Sequence, residues 1–148
     1  MDTIKNKFLR GDSRGRHYWL TPPDIYAKLH AEFAFDFDPC PFPLPPGFNG
    51  LDVEWGTSNY CNIPFGTTLV NGKRIGATAW VRKAIEEFRK GKTVVLLHPA
   101  DKWEFMMLDA GAQMRNLGDI KWLSIEDRLP GKGSGRPICA WILDARPK

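Results

Sequence analysis

Four consecutive residues, Asn62-Ile63-Pro64-Phe65, combine a side-chain amide, a rigid turn and an aromatic ring. They lie in the stretch Asn-Tyr-Cys-Asn-Ile-Pro-Phe-Gly at 59–66, which reads as a short buried strand with a polar side chain at its end. Pro64 fixes its own φ and holds Ile63 extended, and Gly66 lets the chain turn away at once. A stiff loop with an amide oxygen at one end and a ring at the other suits a planar ligand that carries an amino group. The amide oxygen and a loop carbonyl would accept the two amino hydrogens while the ring stacks on the flat face. The plainer alternative is a strand ending in an ordinary turn, with Phe65 folded back into the core. The tetrapeptide alone leaves both open.

The elements that must position this loop follow from periodicity. Thr21 is a candidate helix cap ahead of Pro22 and Pro23. Ile25, Leu29 and Phe33 recur every fourth residue, which predicts a helix over 24–33. Phe33 to Asp38 alternates late and reads as a strand that delivers Asp38 into Pro39-Cys40-Pro41; a carboxylate at a strand's C-terminal end is where open α/β sheets place ligand contacts. The proline-rich run 39–50 excludes helix and ladder alike. Residues 51–56 are too few to assign; a small edge strand with Asp52 and Glu54 on one face is one reading left open. Asn71-Gly72 marks a turn in a basic loop containing Lys73 and Arg74. A helix is expected over 77–90, with Trp80, Ala84, Ile85 and Phe88 facing inward and Gly91 ending it.

Thr93 to Leu97 is nearly continuously apolar, the mark of a strand buried on both faces and central in a parallel sheet. Asp101 is expected to cap a helix reaching Met114. Residues 119–125 and 138–143 read as two last strands, paired antiparallel across the glycine-rich loop 128–137. The expected architecture is α/β: an open, mostly parallel sheet with a C-terminal antiparallel hairpin.

The chain has 148 residues, 43% hydrophobic and 26% charged, which fits one globular domain. No apolar run approaches the ~18 residues of a membrane span, and the polar, basic start does not resemble a secretory signal. Three scattered cysteines, Cys40, Cys61 and Cys139, form neither a disulfide framework nor a zinc pattern. A reduced, intracellular, metal-free protein is expected. The net charge of +4 is concentrated in residues 1–17, read as a mobile arm, and in the loop carrying Arg128, Lys132 and Arg136. Basic loops on a neutral body point to a polyanion such as nucleic acid.

Six segments occur in one order: Trp19-Leu20-Thr21-Pro22, Phe35 to Cys40, Gly50 to Trp55, Tyr60 to Gly66, Trp80 to Ala84, and Val94 to Ala100. In this the chain resembles the phage-encoded DNA N6-adenine methyltransferases of the Dam type, well over residues 19–104 and loosely beyond. The resemblance implies a compact Rossmann-like class I methyltransferase sheet, S-adenosylmethionine as methyl donor, and double-stranded DNA as substrate, in a phage-infected or prophage-bearing cell. It implies that Asn62, Ile63, Pro64 and Phe65 hold the flipped adenine. Trp19, Thr21 and Pro22 on one side, and Asp38, Pro39 and Cys40 on the other, would line the cofactor site. Asp52 or Glu54 is the candidate for the ribose hydroxyls, and Lys73, Arg74, Lys132 and Arg136 are candidates for DNA contacts.

The sequence departs from the family in three ways. Ile63 stands where a second proline is usual, as in related enzymes acting on ribosomal RNA. Asp-Pro-Cys replaces a Gly-x-Gly loop, and a chain of this length is expected to leave no room for a separate target-recognition domain. Methyl transfer to RNA adenine, to cytosine N4 or to a glutamine amide, and a catalytically silent nucleic-acid binder, are the alternatives.

Overall fold

The computed structural model describes residues 17–63, 68–70, 73–102, 104–133 and 135–148. Pro64 to Thr67, Asn71 and Gly72, together with the arm 1–16, lie outside the described residues, so the expectations for Pro64 and Phe65 and for the arm rest on sequence alone. Eight strands are described: β1 (Tyr18–Leu20), β2 (Ser58–Asn62), β3 (Thr68–Val70), β4 (Lys73–Ile75), β5 (Thr93–Pro99), β6 (Gln113–Gly118), β7 (Leu123–Ser124) and β8 (Ile138–Leu143). The helices are α1 (Pro23–Phe33), α2 (Ala77–Arg89) and the short α3 (Phe105–Asp109).

The main sheet has the order β2-β5-β8-β6. β2 and β5 are parallel, whereas β8 is antiparallel to both β5 and β6. β1-β7 and β3-β4 form two further antiparallel pairs. The expectation of a mostly parallel, Rossmann-like sheet is therefore wrong: β2-β5 is the single parallel ladder among the described strands. The cause is the path of β8. It enters between β5 and β6 from the opposite direction, so the two strands joined through α3 never touch. Parallel pairing needs a crossover between adjacent strands, and only the passage through α2 supplies one.

The C-terminal hairpin is also corrected. β8 does not pair with 119–125; that segment contributes only Leu123 and Ser124, which pair with Leu20 and Tyr18. The helix expected up to Met114 stops at Asp109, and Met114 lies in β6 opposite Trp141. Residues 33–38 form no named strand: Phe33 ends α1, and Phe37 makes one isolated parallel bridge to Asn59. The edge strand left open for 51–56 does not form; the segment is a turn and a bend followed by irregular chain.

The core is built on the period-2 alternation of the central strands. Val94, Leu96, Trp141 and Leu143 face α2, where Trp80, Val81 and Ala84 meet them. Val95, Leu97, Ala140 and Ile142 face α1, where Leu29 and Phe33 cover them. β5 is buried along its whole length, as expected of a strand with neighbours on both sides. Each fully buried aliphatic side chain contributes about 1.5–3 kcal/mol.

Because β2, β5 and the bridging segment at Phe37 run the same way, their C-terminal ends share one edge of the sheet. Two devices hold that edge in register. The Asp36 carboxylate accepts the Ser58 N–H at 3.0 Å, and the Tyr60 N–H donates to the Phe37 carbonyl at 3.0 Å. Gly56 packs so tightly on Asp36 and Phe37 that a Cβ would overlap them.

Candidate active site

At the C-terminal edge, on the α1 side, β2 presents Tyr60 and, two residues on, Asn62. The Asn62 Nδ2 donates to the Trp19 carbonyl of β1 at 2.8 Å. A carbonyl can only accept, so this bond fixes which way the amide points. Nδ2 is occupied by the backbone, and Oδ1 is the atom left to receive a ligand's hydrogens. β1 is itself held by β7 and by His17, whose N–H and Nδ1 both meet the Glu126 carboxylate, at 2.9 and 2.8 Å. His17 thus belongs to the folded body.

Thr21 does not cap α1. Pro22 occupies the cap position, and its carbonyl receives the N–H groups of Ile25 and Tyr26, each at 3.1 Å. The Thr21 hydroxyl instead bonds to the Tyr60 hydroxyl. Tyr60 is buried, which pushes its phenol pKa up against that hydrogen bond. Tyr26 stands edge-on to Tyr60, ring centroids 4.9 Å apart, and its pKa is raised by burial and by the charge of Asp38.

Asp38 follows the bridge at Phe37 and lies close enough to both tyrosines to be felt by them. Burial raises its carboxyl from the ordinary 3.8 to about 6, opposed only by the Cys40 N–H, which donates to Oδ1 at 2.8 Å. No cation among the described residues offsets the desolvation of this carboxylate. Cys40 packs against buried Cys61, whose thiol is held well above its usual pKa by burial and by Cys40. Gly50 approaches the Pro39 carbonyl so closely that a Cβ would overlap it, which folds the proline-rich loop back on the strand end. The Phe42 ring of that loop meets the Trp19 ring edge-on at 6.1 Å.

The structure therefore brings Trp19, Thr21, Pro22, Asp38, Pro39, Cys40 and Asn62 to one region, with Ile63 buried just beyond. It does not bring Glu54 there. Glu54 pairs with Lys90 at 3.1 Å and Lys92 at 3.4 Å, beside the start of β5. Thr93 pairs with Ser58, and Asn62 is four residues further along, so Glu54 sits at the opposite edge, about 13 Å away at ~3.3 Å per residue. The chain turns back after Leu51, and the buried Glu87 draws Lys90 and Lys92 to that end (2.9 and 2.8 Å). Asp52 is exposed and accepts the Asn49 Nδ2 at 2.9 Å within the loop. Lys73 lies in β4, and Lys132 and Arg136 lie exposed in the loop before β8. Arg74 also lies in β4.

Tyr26 and Tyr60 were not singled out from sequence. A signal existed for Tyr60: it stands two residues before Asn62, hence on the same strand face. Among the described residues no group of His, Cys, Asp and Glu could hold a metal ion, and no helix is long and apolar enough to cross a membrane.

No protein-family model, curated protein or solved structure matches this chain.

Proposed function

We propose that the protein transfers a methyl group from S-adenosylmethionine to the N6 amino group of adenine in double-stranded DNA. The observation that carries this reading is the Asn62 amide at the end of β2, whose Nδ2 is taken by the Trp19 carbonyl, which leaves Oδ1 as the acceptor. The lone pair of an adenine amino group is delocalised into its ring and makes a poor nucleophile. Accepting its hydrogens at Asn62 Oδ1 and at the carbonyl of Ile63 or Pro64 localises that pair on nitrogen. The nitrogen would take the methyl as the methyl–sulfur bond breaks and S-adenosylhomocysteine leaves, and its extra proton would then pass to water, so no strong base is needed; most of the rate enhancement comes from positioning and electrostatics. Phe65 stacks on the base once it leaves the helix, because a paired, stacked base hides its amino group.

The donor set suits the cofactor. When bound, S-adenosylmethionine supplies an electrophilic methyl on a cationic sulfonium and carries an ammonium group. Asp38 offers a carboxylate that no described cation neutralises, and Tyr26 and Trp19 offer aromatic surface, which attracts cations. The reading goes with a reduced, intracellular setting in a phage or its host cell.

Substituting Asn62→Ala tests the assignment by separating chemistry from binding. Methyl transfer to DNA falls to background, while calorimetric titration still finds cofactor binding within about threefold of wild type. Loss of cofactor binding in that variant assigns Asn62 to the cofactor instead.

A further inference from the structure

Two of the three cysteines meet at the C-terminal edge of the sheet. Cys61 is the fourth residue of β2 and is fully buried, Cys40 in the turn after Asp38 is partly exposed, and both are free thiols. The register of the chain brings them together. Phe37 bridges Asn59 in parallel, and its carbonyl accepts the Tyr60 N–H at 3.0 Å, so the chain leaving Phe37 runs alongside the chain leaving Asn59. Cys40 accordingly packs on the core cluster that contains Cys61, and its thiol lies close enough to help raise the Cys61 pKa. The Cys40 backbone is held in place: its N–H donates to Asp38 Oδ1 at 2.8 Å, Pro39 and Pro41 restrict the chain on either side, and Gly50 closes on the Pro39 carbonyl. Cys139 cannot compete for either thiol. It lies on β8 opposite His98, and β5 separates β8 from β2. Two strand spacings are about 9.6 Å, beyond the ~6.8 Å between α-carbons that a disulfide spans.

We propose that Cys40 and Cys61 form a reversible redox pair, in which hydrogen peroxide oxidises the partly exposed Cys40 and the buried Cys61 closes a disulfide onto it. In the first step the Cys40 sulfur takes one oxygen as the peroxide O–O bond breaks, giving a sulfenic acid and one water. In the second the Cys61 sulfur displaces that oxygen, the S–S bond forms, and the hydroxide departs with the Cys61 proton as a second water. The two thiols lose two electrons, and the peroxide gains both. Burial assigns the roles. Cys40 is the thiol that meets an oxidant from solvent, whereas Cys61 stays protonated and is a slow nucleophile until a sulfenic acid is offered at contact distance. The bridge ties the residue before Asn62 to the second residue after Asp38, so oxidation acts on the spacing of those two polar groups, whichever ligand that edge receives.

Thiol chemistry is read directly by mass. The full-length protein is treated with hydrogen peroxide, quenched in acid, denatured, alkylated and mapped by mass spectrometry. The expected result is loss of two of the three titratable thiols, a chain lighter by two hydrogens, a Cys40–Cys61 peptide cross-link, and recovery of all three thiols with dithiothreitol. Cys40→Ser is expected to keep its two remaining thiols through the same treatment. Cys61→Ala is expected to stop at the Cys40 sulfenic acid, trapped by dimedone. The wild-type map decides the question even where a variant fails to fold. A wild-type chain that keeps three thiols, cross-links between molecules, joins Cys139, or carries Cys40 on to the sulfinic acid without a cross-link overturns the redox pair and leaves the methyl-transfer reading untouched.

Discussion

Replacing Asp38 by asparagine isolates a conflict between stability and ligand binding. In the free protein the Asp38 carboxyl has its pKa raised from 3.8 to about 6, chiefly by burial, so its ionised form is disfavoured in the fold. At pH 7 the unfolded chain carries the charge at no such cost. The difference corresponds to ~3 kcal/mol at most, and about 2 kcal/mol is reasonable given the solvent contact the group retains. The sign follows from proton counting. Between pH ~4 and ~6 the folded state holds a proton that the unfolded state has lost, so this group's contribution makes stability fall as pH rises through that window.

An asparagine side chain at this position is nearly the same shape, keeps an oxygen to accept the Cys40 N–H, and carries no charge. The Asp38→Asn variant should therefore be more stable than wild type by about 2 kcal/mol at pH 7 and about equal near pH 4. It should also bind S-adenosylmethionine at least ~10-fold more weakly, since the loss of a desolvated charge partner exceeds ~1.4 kcal/mol. Urea unfolding at several pH values, paired with calorimetric titration, reads both quantities. A variant less stable than wild type at pH 7, or one with unaltered cofactor affinity, refutes the reasoning.

Three further outcomes follow from other parts of the molecule. Glu87 is buried, and although burial alone would raise its pKa, the Lys92 ammonium, the Trp55 N–H and Lys90 hold it at about 2. Its contribution is present above pH ~4.5 and is lost as pH falls from there toward ~2; Glu87→Gln should cost ~2 kcal/mol at pH 7 and much less near pH 2, measured by chemical denaturation. Gly56→Ala would force a methyl group into Asp36 and Phe37, so it should lower stability by about 1–3 kcal/mol and, by shifting Asp38, weaken cofactor binding. DNA affinity should fall steeply with salt, and Lys132→Ala with Arg136→Ala should flatten the log–log slope by about 2 in filter binding if both residues contact phosphates.

The elements that face the core on a regular period were legible from sequence. α1 and α2 end where the apolar stripes end, and β5 is the buried central strand that its unbroken run of valine and leucine requires. Asn62 stands at the end of β2, and Asp38 lies close enough to Tyr60 to raise its pKa, so the places of these two candidate residues in the fold were also readable. What escaped depended on long-range pairing. β6, Gln-Met-Arg-Asn-Leu-Gly, is an edge strand whose exposed positions follow no alternation, and nothing local marks it as a strand. The insertion of β8 between β5 and β6 decides the direction of the sheet, and only contacts distant in sequence specify it. Glu54 was a candidate for the site only through the family resemblance; the reversal of the chain after Leu51 and the pull of Lys90 and Lys92 carry it to the other edge. Tyr60 was overlooked because a tyrosine within a buried strand reads as packing until its hydroxyl is seen to meet Thr21.

The central claim is the reaction. Methyl-labelled S-adenosylmethionine is incubated with the full-length protein and unmethylated duplex DNA, and the DNA is then digested to nucleosides and separated by chromatography. The account predicts label in N6-methyladenine, abolished by Asn62→Ala. No label in any DNA nucleoside, from a protein that binds the cofactor, would contradict it and move the search for the acceptor to RNA or protein amides.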